Sequence, residues 1–305
     1  MRLKLPILFF LAAGLAGCAS VNKTMDKGTG TLGELLLPLS EEVSLGKQLS
    51  ADVDKQEKVL NDPEVQAWVN QLGQKIVAAS GDKRKGVRYT FTVIDKPGVI
   101  NAFALPGGHI YVYSGLITAA RSEAELASVL GHEVGHVTER HAAKSLGTAY
   151  GLEALSTVAL GKKPGTVTQI ASGIAAQGYM SRHSRDAERD ADTKGLDYLI
   201  RAGYDAKAMP RFFQELVRVS GKSSSLEQFF ASHPDPAERA KTLEASIRSK
   251  GGAAGKTEII GGFDRIKARL LGNTSVPASS TGAPSAPSGS GAPAPGPAPA
   301  PAPAR

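Results

Sequence analysis

From Ser40 onward the apolar positions fall mostly at helical spacing, and in one short stretch they alternate instead. Ser40-Glu41-Glu42-Val43 opens one helical segment. Asp62-Pro63-Glu64 opens a second, with proline at the first helical position, where a missing N–H costs nothing. Val65, Trp68, Val69, Leu72, Ile76 and Val77 form its apolar stripe, and Trp68 reads as a core anchor. Between Val87 and Ile94, Tyr89, Phe91 and Val93 alternate with Arg88, Thr90 and Thr92, which predicts a half-buried strand. Asp95-Lys96-Pro97-Gly98 is a turn, and 101–108 leads into a second strand, His109 to Tyr113, with His109 on its surface. Ser122-Glu123-Ala124-Glu125 has the form of a capping box. Leu126, Val129, Leu130, Val134 and Val137 follow at helical spacing, predicting a helix that runs through Arg140. Residues 145–178, rich in Gly, Ala, Ser and Thr, suit close-packed helices or a lid over a site. Further helices are predicted from Ser184, over Met209 to Val219, and from Asp235-Pro236 to about Ser249; Thr257 to Leu271 has strand then helix character. The sum is an α-rich α+β domain with a small sheet.

The two ends differ from this middle. Arg2 and Lys4 precede an apolar run from Leu5 to Leu15, too short to span a bilayer but of signal-peptide length. Leu15-Ala16-Gly17-Cys18 resembles a bacterial lipobox, and Cys18 is the single cysteine of the chain. The resemblance implies cleavage before Cys18, lipidation of its sulfur and, with Ala19 following, sorting to the outer membrane facing the periplasm. An ordinary signal peptide with an incidental cysteine is the alternative. From Asn273 the chain is Pro, Ala, Ser and Gly, a composition that cannot offset ordering entropy. The expected organisation is therefore signal peptide 1–17, lipidated tether 18–39, catalytic domain 40–250, short extension 251–272 and disordered tail 273–305. Hydrophobic residues make up 41% of the 305 and the formal charge is +7. The tightest basic cluster, Lys83-Arg84-Lys85, lacks interleaved aromatics and reads as a solvated turn, so no nucleic-acid partner is expected.

The chemistry lies in His132-Glu133-Val134-Gly135-His136. Histidines at i and i+4 share one helical face and can offer nitrogens to one metal ion, with Glu133 placed to accept a proton from an attacking water. The alternative is a helix face that carries two histidines by chance. Glu188 and Asp192 are again i and i+4. A carboxylate at Glu188 completes a two-His, one-Glu zinc set, and Asp192 can accept a hydrogen bond from a ligand histidine. A charged helix surface would show the same alternation of sign from Arg185 to Asp192. His141, nine residues after His132, falls on the opposite face of a continuous helix, which excludes it as a third ligand. A strand beside the motif helix offers an edge to an extended peptide, although a plain hairpin closed at Gly107-Gly108 fits the same spacing.

Taken in order, the lead from Ser40, 101–108, His132 to His136, Ser184 to Asp192 and Ser232-His233-Pro234-Asp235-Pro236 resemble the HExxH zinc metallopeptidases of the CAAX-prenyl-protease and HtpX superfamily. The likeness is to their periplasmic lipoprotein branch of BepA-like proteases, and it covers roughly residues 40–249. It implies a mainly helical zincin-like (gluzincin) fold and one zinc ion per chain. It further implies His132, His136 and Glu188 as ligands, Glu133 as catalytic base and Asp192 as the carboxylate behind a ligand. Asp190 departs from the usual glutamate there. For His233 three roles stay open: loop packing, a transition-state donor, or a latch on the metal. The activity implied is endopeptidase cleavage of unfolded or misassembled envelope proteins, with the outer-membrane assembly machinery as a candidate partner. The rivals are a latent or non-catalytic chaperone or assembly scaffold, and a cell-wall-binding lipoprotein.

Overall fold

The computed structural model describes residues 37–146, 183–220, 226–252 and 254–272. Helix α1 (Leu39–Gln56) starts behind Pro38, and α2 (Pro63–Ser80) starts as the sequence predicts. The Asp62 side chain accepts from the Glu64 and Val65 N–H groups, Pro63 takes the first helical position, and Gly81 ends the helix at φ 72°. Strands β1 (Thr90–Ile94), β2 (Ala102–Ala104) and β3 (His109–Tyr113) form one sheet in the order β1-β3-β2. β1 runs parallel to β3 and β2 antiparallel to it. The hairpin through Pro106-Gly107-Gly108 is therefore present, and β3 is central, so the edge expected at 109–113 belongs to β2 instead. His109 stays on the strand surface, its Nδ1 3.1 Å from Thr90 Oγ1.

After α3 (Ser114–Ala119) comes the motif helix α4 (Glu123–Thr138). The Ser122 hydroxyl caps it by accepting from Glu125 N–H, while the Glu125 carboxylate accepts from Arg121 N–H at 2.8 Å. Helix α4 stops at Thr138 and does not continue through Arg140. Arg140 adopts φ 53°, held there by α1: its Nε donates to the buried Glu42 carboxylate at 2.7 Å and its Nη2 to the Leu37 carbonyl at 2.6 Å. A buried carboxylate without a cationic partner is costly, so this pair secures the turn at Glu139-Arg140, beyond which residues 141–146 are helical again. Arg84 likewise departs from the solvated turn expected of it. It chelates Asp82 (Nε–Oδ1 3.0 Å, Nη2–Oδ2 2.6 Å) and donates to the Val137 carbonyl at the end of α4 at 3.1 Å.

Helices α5 (Arg185–Arg201), α6 (Ala208–Ser220), α7 (Glu227–Ser232) and α8 (Pro236–Ser249) complete the domain. Asp235 precedes α8 in a left-handed conformation with no side-chain capping bond, and its carboxylate lies 2.8 Å from Arg185 Nε instead. The Gly/Ala-rich stretch read as a lid falls largely on residues 147–182, outside the described residues, as do the leader, residues 18–36 of the tether and the tail; Leu37 and Pro38 lead into α1, which already includes Leu39. The segment after Gly251 docks on the domain. Helix α9 (Phe263–Leu270) buries Phe263 and Ile266, Trp68 Nε1 donates to the Gly261 carbonyl at 2.7 Å, and the buried Glu123 carboxylate accepts N–H bonds from Ile259, Ile260 and Gly261. The strand expected before α9 reduces to a single bridge between Lys256 and Tyr204.

Candidate metal centre

Helices α4 and α5 meet backbone to backbone. A Cβ on Gly131 would stand 3.1 Å from the Gly195 carbonyl oxygen, one on Gly135 2.8 Å from that of Ala191, and one on Gly195 2.8 Å from His132 N. Small residues at all four positions allow this approach, which carries Glu188 and Asp192 to the histidine face of α4. The α7–α8 loop adds His233. One donor atom each from His132, His136, Glu188 and His233 lies within 4.8 Å of the others, and all four residues are buried. His132 Nε2 is 3.0 Å from His136 Nε2 and 3.3 Å from His233 Nδ1; Glu188 Oε1 is 3.3 Å from His136 Nε2 and 3.2 Å from His233 Nδ1.

The donor chemistry fits a metal ion. His132 Nδ1 faces Asp192 Oδ1 at 2.9 Å, which holds the proton on Nδ1 and turns the Nε2 lone pair inward. Burial pushes the His136 pKa well below its ordinary value, so a neutral ring supplies the second nitrogen. Burial alone would raise the Glu188 carboxyl, but His233 and His132 beside it hold it far below the usual carboxylate range, so it offers an anionic oxygen. Two imidazole nitrogens and a carboxylate that converge out of water form a zinc-type donor set, and a third imidazole completes four. Glu133 is also buried, and Oε2 has no hydrogen-bond partner among the described residues. Its Oε1 is 3.6 Å from His233 Nε2, and burial raises its pKa, which strengthens it as a base. For His233, burial opposes protonation, but Glu188 and Glu133 outweigh it and raise the pKa.

Three residues of this site were not anticipated. Arg239, on α8 and 5% exposed, grips Asp192 through Nε (2.8 Å) and Nη2 (2.7 Å), reaches Glu188 Oε2 with Nη1 at 2.5 Å, and lies over the Phe213 ring. It stands six residues after His233, yet nothing local marks it off from the other charges of α8. His183 stacks on His136 with ring centroids 3.9 Å apart, and its N–H donates to the Ser232 carbonyl at 3.1 Å. Its place just before the Ser184 cap was the available signal. His141, excluded above on helical geometry, is brought back beneath His136 by the turn at Arg140: the two Nδ1 atoms are 2.9 Å apart. Five of the six histidines in the chain thus gather here.

The sequence pattern of peptidase family M48 matches residues 63–247, more than half of the chain and all of the cluster just described. The chain belongs to peptidase family M48. This agrees with the resemblance read from its motifs. A beta-barrel assembly-enhancing protease of Yersinia pestis is 31% identical over 220 residues, covering 69% of this chain and 44% of that protein. The mitochondrial metalloendopeptidase OMA1 of Arabidopsis thaliana is 30% identical over 191 residues, 62% of this chain and 37% of the relative. Metalloprotease YcaL of Escherichia coli is 28% identical over 247 residues, 78% and 94% of the two chains. The chain spans less than half the length of the assembly-enhancing protease it matches.

Proposed function

We propose that the chain is a zinc-dependent endopeptidase of the bacterial envelope, and the observation that carries this is the cluster of four buried donors with Glu133 beside it. His132, His136 and Glu188 would hold the zinc, one per chain. Zinc bound there supplies Lewis acidity to the scissile carbonyl and to water. Glu133 takes the proton of the attacking water and passes it to the leaving amine, a role that its burial and raised pKa favour. Asp192 keeps the His132 ring in its ligating tautomer, and Arg239 steadies Asp192 and Glu188 together.

His233 is the latch of this reading. Its Nδ1 stands among the donors, 3.3 Å from His132 Nε2 and 3.2 Å from Glu188 Oε1, so with zinc bound it would serve as a further ligand and keep the resting enzyme latent. A second reading, in which its Nε2 near Glu133 donates to the transition state, rests on the 3.6 Å separation of those groups. Substrates in this proposal are unfolded or misassembled envelope proteins. Their source is the kinship with proteases named for beta-barrel assembly, whose machinery is the candidate partner. Lipid on Cys18 places the domain on the periplasmic face of the outer membrane.

Purified protein is assayed for zinc content and cleavage of unfolded casein, as wild type, Glu133→Gln and His233→Ala. Zinc near one per chain in all three, no cleavage by Glu133→Gln and faster cleavage by His233→Ala support the proposal. Wild-type cleavage retained in Glu133→Gln would remove the assigned base, and slower cleavage by zinc-loaded His233→Ala would favour the donor role.

A further inference from the structure

The two histidines of α4 are supported differently. His132 Nδ1 is held by a carboxylate, Asp192, at 2.9 Å. His136 Nδ1 faces a neutral type of partner, the His141 ring, also at 2.9 Å. His136 Nε2 points into the donor cluster, towards His132 Nε2 and Glu188; a metal held there would take its lone pair, which leaves the proton on Nδ1 as the donor to His141 Nδ1. His141 then carries its own proton on Nε2, an atom buried without a hydrogen bond among the described residues and 3.9 Å from Asp190 Oδ2.

We infer that His141 is a positioning residue, which fixes the tautomer and the plane of His136 for metal binding. This rests on the reading above that His136 is a ligand. The chain is built to put His141 there. The left-handed Arg140, a conformation costly for an L side chain, is tied to Glu42 and to the Leu37 carbonyl, and the turn it makes brings His141 against His136. The rings meet at 71° with centroids 4.9 Å apart, an edge approach that aligns nitrogen with nitrogen, and His141 is 2% exposed, so water does not compete for the bond. A strut from α1 therefore sets the orientation of a metal ligand on α4.

The test measures zinc affinity of the full chain by chelator competition, and the absorption of the cobalt-substituted protein, in His141→Asn and His141→Phe. Asparagine places an acceptor oxygen where Nδ1 stood; phenylalanine keeps a ring and removes the acceptor. His141→Leu replaces the phenylalanine variant if that one does not fold. Loss of a group that orients a ligand typically lowers metal affinity by about 10- to 100-fold. The expected result is that loss, with altered cobalt bands, in His141→Phe, and affinity within about threefold of wild type in His141→Asn. Equal losses in both variants, or none in His141→Phe, would overturn the inference and leave His141 as packing. His136→Ala runs alongside: if it keeps wild-type zinc affinity, the ligand reading falls and takes this inference with it, whereas zinc lost there and kept in His141→Phe refutes the positioning role alone.

Discussion

Arg239→Met separates electrostatics from packing at the centre of the site. Methionine keeps the length of the arginine stem but removes the bonds to Asp192 at 2.7 and 2.8 Å and the contact with Glu188 at 2.5 Å. Two carboxylates, on residues 6% and 1% exposed, then lose their shared cation. Breaking a buried, hydrogen-bonded ion pair costs about 3–5 kcal/mol, because the remaining charge stays out of water. The contact with the Phe213 ring adds a smaller loss, on the order of 1 kcal/mol. Urea unfolding followed by circular dichroism, on zinc-stripped protein, should therefore show a deficit of roughly 3–5 kcal/mol. In heat this corresponds to about 6–20 °C at the entropy expected of a domain of this size. Saturating zinc should recover part of it, since the ion compensates Glu188 and leaves Asp192 exposed to the loss. A deficit below about 1 kcal/mol in the stripped protein would refute the reasoning, because such a value belongs to surface pairs.

The approach of α4 and α5 gives a second prediction: Gly195→Ala sets a Cβ 2.8 Å from His132 N and should destabilise by about 1–3 kcal/mol with weakened zinc retention, read by unfolding and metal analysis, while Gly98→Ala, with open space around it, changes neither. Arg84→Gln strips the cation from the end of α4 and from Asp82, which Arg84 and Tyr89 hold down to about 2 against the upward push of burial; a loss of about 1–3 kcal/mol is expected in urea unfolding. The pH dependence follows from His141, whose pKa burial lowers to about 4. A folded pKa below the ordinary value of about 6.5 means that the neutral ring stabilises the fold. That contribution is complete above about pH 6.5 and lost as pH falls toward 4, so in zinc-stripped protein His141→Asn should flatten this part of the wild-type stability curve. In cells, radiolabelled palmitate should enter the wild type and not Cys18→Ser; wild type without label would contradict lipidation.

The parts of this site that one helix carries by itself were legible in the sequence. His132, Glu133 and His136 share a helix whose cap, Ser122, and apolar stripe are local features, and Glu188 and Asp192 declare themselves by the same i, i+4 spacing. The sheet was legible as one alternating run and one short apolar run after Gly107-Gly108, but not the order of its strands, since nothing within His109 to Tyr113 says that β1 pairs with it in parallel. What escaped depends on partners far along the chain. Helical spacing excluded His141, and a left-handed Arg140 secured by Glu42, 98 residues earlier, brought it back. Arg239 resembles any charge on an amphipathic helix until α5 is packed against it. Glu123 sits in the first turn of α4, where an acid is favourable on dipole grounds alone, and its role in holding 259–261 appears only once the C-terminal segment docks. Arg84 was hidden in a basic run whose other members it does not resemble in burial.

The central claim is that His132, His136, Glu188 and His233 surround one metal ion. X-ray absorption at the zinc edge, on the purified full chain, tests it most directly. The prediction is a four-coordinate nitrogen and oxygen shell at about 2.0–2.1 Å, with the outer-shell scattering of three imidazoles that falls to two in His233→Ala. A sulfur shell, six oxygens, or an imidazole count unchanged by His233→Ala and by His136→Ala would contradict it.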